Sequence, residues 1–205
     1  MQKLRVSVYV DGFNLYFGMR EARWKECYWL DLVEFGAALL RPNQSLVSVK
    51  YFTSRISGPS DKQQRQSLYL QALATRGGVG IYYGQYRSNK QVCRTCGAVA
   101  IVPTEKMTDV NIAVEMLLDA TKDVYDLAIL VSGDSDLTAP IRAVRDNFPE
   151  KQVVVAFPPN RSSHSLRAVA SACVVIGKSK LRGSQLPDQI STASGFVITK
   201  PSEWR

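Results

Sequence analysis

The chain has 205 residues, 45% of them hydrophobic and 21% charged, and carries a net charge of +8. That length suits one domain with a substantial core, and no apolar run is long enough for a transmembrane helix, which excludes a helical membrane protein. The basic excess favours polyanionic partners, of which nucleic acid is the commonest.

Residues 1 to 20 carry Arg5, Asp11 and Arg20 within an alternating pattern, so no secretory signal is expected and the protein reads as cytoplasmic, with no membrane partner. In that compartment four cysteines read as thiols or metal ligands rather than disulfides. Leu4 to Val10 has the pattern of a strand and stops at Asp11-Gly12-Phe13-Asn14 before a helical run. A carboxylate and an amide therefore stand at the carboxyl end of the first strand.

Leu30 to Leu40 has apolar residues at helical spacing and ends at Arg41-Pro42. Val47 to Phe52 reads as a second strand, and Gly58-Pro59-Ser60 opens a polar helix with Leu68, Leu70, Leu73 and Ala74 on its apolar face. Val79 to Tyr86 supplies a third strand. Its Tyr82, Tyr83 and Tyr86, with Arg87 and Lys90 nearby, suit stacking and phosphate contact on single-stranded nucleic acid, and equally suit an ordinary half-buried strand. Cys93 and Cys96 form a Cys-x-x-Cys knuckle within an insertion near residues 86–100, which offers zinc two of the four ligands it needs. Cys27 and Cys173 stand far off in sequence and the only histidine is His164, so a zinc site within one chain is disfavoured but open, and a zinc shared across a homodimer is a further way to complete it.

Val110, Ala113, Val114, Leu117 and Leu118 form a helical stripe, with Thr108 as the expected N-cap and Asp109 in the first turn. A right-handed β-α-β crossover brings the start of such a helix to the edge where parallel strands end, beside Asp11. The run Leu127 to Val131 has no polar member and reads as a strand buried on both faces. Gly133 then turns the chain into Asp134 and Asp136, the second of which is the expected cap of a helix holding Pro140 in its first turn. Gln152 to Phe157 and Cys173 to Gly177 supply two more strands, joined by a loop and helix that place Arg161, His164 and Arg167 near the same edge. From Lys178 the composition shifts to a basic linker and a small hairpin ending in an exposed Trp204, so residues 1–178 read as the domain and 179–205 as a tail.

The order of strands and helices predicts an α/β fold, with helices on both faces of a mostly parallel sheet. Asp11, Asp109, Asp134 and Asp136 converge on one sheet edge. Two carboxylates about 4 Å apart repel by roughly 4 kcal/mol at an effective dielectric near 20, so the cluster calls for a counter-charge. Oxygen ligands favour Mg²⁺ or Mn²⁺, and such an ion can promote attack on a phosphodiester. The bland alternative is that Asp136 caps a helix and Asp134 decorates a loop. Asp134-Ser135-Asp136-Leu137-Thr138 also fits the D-x-D-x-T signature of haloacid-dehalogenase-like phosphatases, but the acids after it, Asp146, Glu150, Asp188 and Glu203, are unpaired.

The motifs Val10 to Leu15, Glu105 to Val110 and Val131 to Asp136, in this order, resemble the NYN domain family, in the LabA-like branch of the PIN-like nucleases. The resemblance implies a PIN-like three-layer α/β/α sandwich and a metal-dependent ribonuclease acting on RNA, single-stranded RNA in the first place. It makes Asp11, Asp109, Asp134 and Asp136 metal-binding and catalytic acids, and Asn14 and Ser132 supporting polar groups. Arg55, Arg65, Arg87, Arg161, His164 and Arg167 are the expected RNA contacts. The competing expectation is a regulatory RNA-binding or interaction module that keeps the acids without cutting.

Overall fold

The computed structural model describes residues 3–92, 95–97 and 99–205, with residues 85–92 and 99–106 described by backbone alone. Cys93 of the knuckle, and the side chains of Tyr86, Arg87 and Lys90, lie outside the described residues.

In chain order the elements are β1 (Leu4–Asp11), α1 (Gly12–Glu21), α2 (Leu32–Ala38), β2 (Gln44–Thr53), α3 (Ser60–Arg76), β3 (Val79–Tyr83), β4 (Gln85–Val92) and β5 (Val99–Lys106). They continue as α4 (Thr108–Thr121), β6 (Leu127–Val131), α5 (Thr138–Asn147), β7 (Gln152–Phe157), α6 (His164–Val169), β8 (Ala172–Val175), α7 (Lys178–Gly183), β9 (Gln189–Ser191) and β10 (Val197–Thr199). Six strands form one sheet in the order β3-β2-β1-β6-β7-β8, parallel at every pairing.

Side chains alternate across a strand, and both faces of the central strands are apolar, so each face builds its own core. Val6, Val8 and Val10 of β1 join Ile129 and Val131 of β6 in a core covered by α1, α2 and α3, with Leu15, Phe35 and Leu73 packed in. Tyr9, Ala128 and Leu130 point the other way, into a core with Ile112 and Met116 of α4, Ile141 of α5 and Leu166 of α6. The result is three layers. The chain builds outward from β1 to β3, then returns to the other side of β1 with β6. That reversal opens a crevice between the carboxyl ends of β1 and β6, the place where open α/β sheets hold ligands.

Several expectations are corrected. The third strand ends at Tyr83, and the chain then forms a β4–β5 antiparallel hairpin in a separate two-stranded sheet. Thr108 does not cap α4: Met107 takes that place with φ 79°, and Thr108 is the first helical residue. The expected stripe of α4 is turned outward, with Val110, Val114 and Leu118 exposed while Ile112, Met116 and Asp119 are buried. Asp119 can face inward because the Tyr9 hydroxyl donates to its Oδ2 at 2.6 Å and Lys50 Nζ lies 2.5 Å from the same oxygen. Asp134, not Asp136, is the capping residue, of a 3-10 turn over Ser135–Leu137 that precedes α5.

The expected basic linker is the helix α7. Beyond it Asp31 N donates to Ser184 O, and Trp29 Nε1 donates to Pro187 O at 2.8 Å. The small hairpin is present as β9–β10, and its Ile198 is buried in the first core. Trp204 is half-buried instead of exposed, packed at ring-centroid distances of 5.8 Å from Tyr28, 6.0 Å from Trp29 and 6.2 Å from Tyr69.

Candidate functional site

Val10 and Val131 are register partners on β1 and β6, so the residues that follow them, Asp11 and Ser132, leave the sheet side by side. Asp11 is the last residue of β1 and also the N-cap of α1, its Oδ1 accepting from Asn14 N at 3.0 Å. Ser132 Oγ donates to Asp11 Oδ2 at 2.8 Å and accepts from Asp134 N at 3.0 Å. Asn14 Oδ1 accepts from Gly133 N at 3.0 Å. Two loops that start on different strands are thereby stitched together, with both oxygens of Asp11 engaged. Asp134 in turn accepts from Asp136 N through Oδ1 at 3.0 Å.

Close approach sets the shape of this corner. A Cβ on Gly133 would stand 3.0 Å from Arg161 Cβ, and one on Gly12 would stand 2.7 Å from the Tyr51 ring, so a side chain at either position would push the loops apart.

The electrostatics are those of crowded acids. Asp11 is 4% exposed and its carboxyl is pushed up to about 6, by burial first, with the hydrogen bonds from Asn14 and Ser132 opposing and the charges of Asp109 and Asp134 adding. Asp109, half-buried in the first turn of α4, is raised as well, by burial and then by Asp134 and Asp136. The four acids therefore feel one another, and no lysine or arginine forms an ion pair with any of them among the described residues. Yet among the described residues no three acid, histidine or cysteine side chains gather tightly enough to grip an ion as they stand. The donor set, all carboxylate oxygen with a buried member that has no ion-pair partner among the described residues, has the chemistry that suits a hard divalent cation; its arms would have to draw in around the ion.

Beside the acids lies a polar pocket of about 430 Å³ lined by Asn14, Glu21, Gly133, Asp134, Asn160 and Arg161 among others. Arg161 Nη2 is ion-paired with Glu21, and its Nε is buried without a hydrogen-bond partner among the described residues. Arg161 is thus the expected basic residue that the fold brings to the acids. His164 begins α6 and is exposed; Arg167 lies over Phe157, its guanidinium carbon 4.6 Å from the ring centroid. Arg55 is exposed against Tyr83, and Arg65 is paired with Asp61 and Glu203. Cys96 is an exposed free thiol, and Cys27 and Cys173 are free as well. Sequence reasoning missed Glu21, whose approach to Arg161 across 140 residues leaves no local trace. It also missed a second, larger cavity of about 590 Å³ that begins at Gly12 and runs between α1 and α3 to Trp204. The one available signal was the unusual pair of aromatic residues, Tyr16 and Phe17, on the outer side of α1, where they stand 38% and 37% exposed.

A model of the NYN domain matches residues 5–177. The chain belongs to the NYN family. Membership brings a nuclease-like, RNA-directed domain of a kind that typically works with divalent metal. The fold is also that of a solved structure, a protein of unknown function from Vibrio parahaemolyticus, which superposes with a TM-score of 0.59 at 22% identity over 90% of this chain and 98% of that one. At that identity the likeness concerns the fold. The chain is further 25% identical, over 99% of its length and 76% of the relative's, to a Pseudomonas putida protein named 6-hydroxy-3-succinoylpyridine 3-monooxygenase HspA. No helix among the described residues is long and apolar enough to cross a membrane.

Proposed function

We propose that this NYN protein is a metal-dependent endoribonuclease, cutting single-stranded RNA at the corner between β1 and β6. The observation that carries the reading is the convergence of Asp11, Asp109 and Asp134 at one sheet edge, with Asp11 buried and its proton held up to about 6 among neighbouring acids. Asp11, Asp109 and Asp134 would hold Mg²⁺ or Mn²⁺, with Asp136 at the exposed rim. Bound there, the ion supplies electrophilic assistance to a phosphodiester and a more acidic water. The Ser132 hydroxyl and the Asn14 backbone N–H keep the Asp11 carboxylate aimed by donating to its two oxygens. Arg161, next to Asp134 in the polar pocket, is placed to take a phosphate oxygen once it leaves Glu21.

One observation favours a second reading, an RNA-binding or regulatory module that does not cut: the acids are not drawn together tightly enough to grip an ion. Incubating purified protein with labelled single-stranded RNA and Mn²⁺, Mg²⁺ or EDTA separates the two. Cleavage with metal and none in EDTA is expected. Asp134→Asn should lower it by at least about 100-fold, the upper range for losing a group that merely supports a ligand, while RNA affinity holds or rises. No cleavage by the parent with either metal, together with Mn²⁺-dependent stability that Asp134→Asn leaves unchanged, would hand the corner to the second reading.

A further inference from the structure

The larger cavity has a composition that the acid corner does not explain. Its wall is a ladder of aromatic rings: Phe13 stacks with Phe17 at 6.2 Å, Phe17 meets Tyr16 at 5.4 Å, Tyr16 meets Tyr28 at 5.1 Å, and Tyr28 meets Trp204 at 5.8 Å. Tyr16 and Phe17, although packed in this ladder, still present more than a third of their surface to solvent, an adjacent pair of exposed aromatics facing the cavity. Basic groups stand around them. Arg20, Lys25 and Lys62 line the cavity, are exposed, and form no ion pair among the described residues; Arg20 lies over the Phe17 ring at 5.8 Å. The one acid among the described lining residues, Glu203, is already held by Arg65 at 2.9 Å.

Partly exposed rings flanked by cations that form no ion pair among the described residues suit a nucleobase with its phosphate, because stacking is indifferent to base identity and the cations follow the backbone. The cavity also begins next to the acid corner, although none of the four acids is among its lining residues. Gly12 and Tyr51 line it; Gly12 is covalently next to Asp11, and the Tyr51 hydroxyl, pushed up to about 12 chiefly by burial, also feels the Asp11 charge.

We infer that the aromatic cavity between α1, α3 and Trp204 binds a base of single-stranded RNA, stacked on Tyr16 and Phe17 with its phosphates on Arg20 and Lys62, and leads the strand to the carboxylates. This rests on the ribonuclease reading for its substrate class, and it is a binding property, so it is measured with the chemistry switched off.

The test titrates the protein in EDTA with fluorescein-labelled hexauridylate and with a hexamer of the same backbone lacking bases. Phe17→Ala should weaken hexauridylate binding by about 5- to 150-fold, the loss of one stacked base, and leave the abasic hexamer unchanged. Phe17→Tyr should restore the affinity, since it restores a ring. Arg20→Gln should lower the slope of log affinity against log salt by about one, as one phosphate contact is lost. Thermal melts of each variant show whether a loss is merely one of folding, and the abasic hexamer, which a misfolded variant would also fail to bind, gives the same control.

Equal affinity of the parent for both hexamers overturns the proposal, as does a Phe17→Ala protein that binds as the parent does. So does binding of a free heteroaromatic acid by a parent that ignores the oligonucleotide. If hexauridylate binds as expected but no RNA is cut in Mn²⁺, the cavity assignment stands and the ribonuclease reading falls. If RNA is cut but Phe17→Ala changes nothing, the reverse holds.

Discussion

Asp11→Asn isolates the cost of the acid corner. In metal-free protein the Asp11 carboxyl is pushed from 3.8 up to about 6, by burial before all else. Between those values the folded state holds a proton that the unfolded chain has released, so stability falls as pH rises through the window and stays low above it. At about 1.4 kcal/mol for each pH unit, the ionised carboxylate costs the native state roughly 3 kcal/mol at pH 7.5. Asparagine has the same shape: its carbonyl can accept from Asn14 N, and its amide can donate to Ser132 Oγ, whose own proton turns away. The variant should therefore exceed the parent by about 2–3 kcal/mol at pH 7.5 in EDTA, and match it near pH 4. For a domain of this size that is a midpoint roughly 5–10 °C higher. Urea or thermal melts of both proteins from pH 4 to 8 give the difference curve, in which the titrating groups that do not feel Asp11 cancel. Adding Mn²⁺ should stabilise the parent more than the variant. A variant no more stable than the parent at pH 7.5, or a difference that does not grow between pH 4 and 6, would refute the claim that Asp11 sits buried without a counter-charge.

Two other outcomes follow from the geometry. Gly12→Ala drives a methyl to 2.7 Å from the Tyr51 ring and should cost about 1–3 kcal/mol in urea unfolding; a change below about 0.5 kcal/mol would show that the ring yields freely. With a net charge of +8, affinity for single-stranded RNA should drop about tenfold or more between 50 and 200 mM salt, and an affinity indifferent to salt would show that the basic excess plays no part in binding.

Much of this architecture could be read in the chain because the central strands advertise themselves. Leu127 to Val131, apolar throughout, can only be a strand covered on both sides, and Asp11 and Asp134 follow strands that the sheet places next to each other. What failed had physical reasons. Helix α4 carries apolar residues on two faces, Val110, Val114 and Leu118 on one and Ile112 and Met116 on the other, so spacing could not choose between them. The choice was made by Lys50 and Tyr9, distant residues that satisfy the buried Asp119. Met107 took the cap from Thr108 through a left-handed backbone that no composition announces. In the tail, the contact of Trp204 with Tyr28, Trp29 and Tyr69 joins the two ends of the chain, and local pattern carries no such information.

The hydrogen bond from Ser132 to Asp11 spans 121 residues, and it exists only once β6 has docked against β1. A nascent chain that has emerged only to the end of α4 already contains Asp11, Asn14 and Asp109, yet it lacks the strand that carries Ser132 and Asp134. The corner is therefore assembled only after β6 has been made and has paired with β1. Until then Asp11 lacks the hydroxyl partner that holds one of its oxygens, and the acids of the two loops have nothing to bring them together.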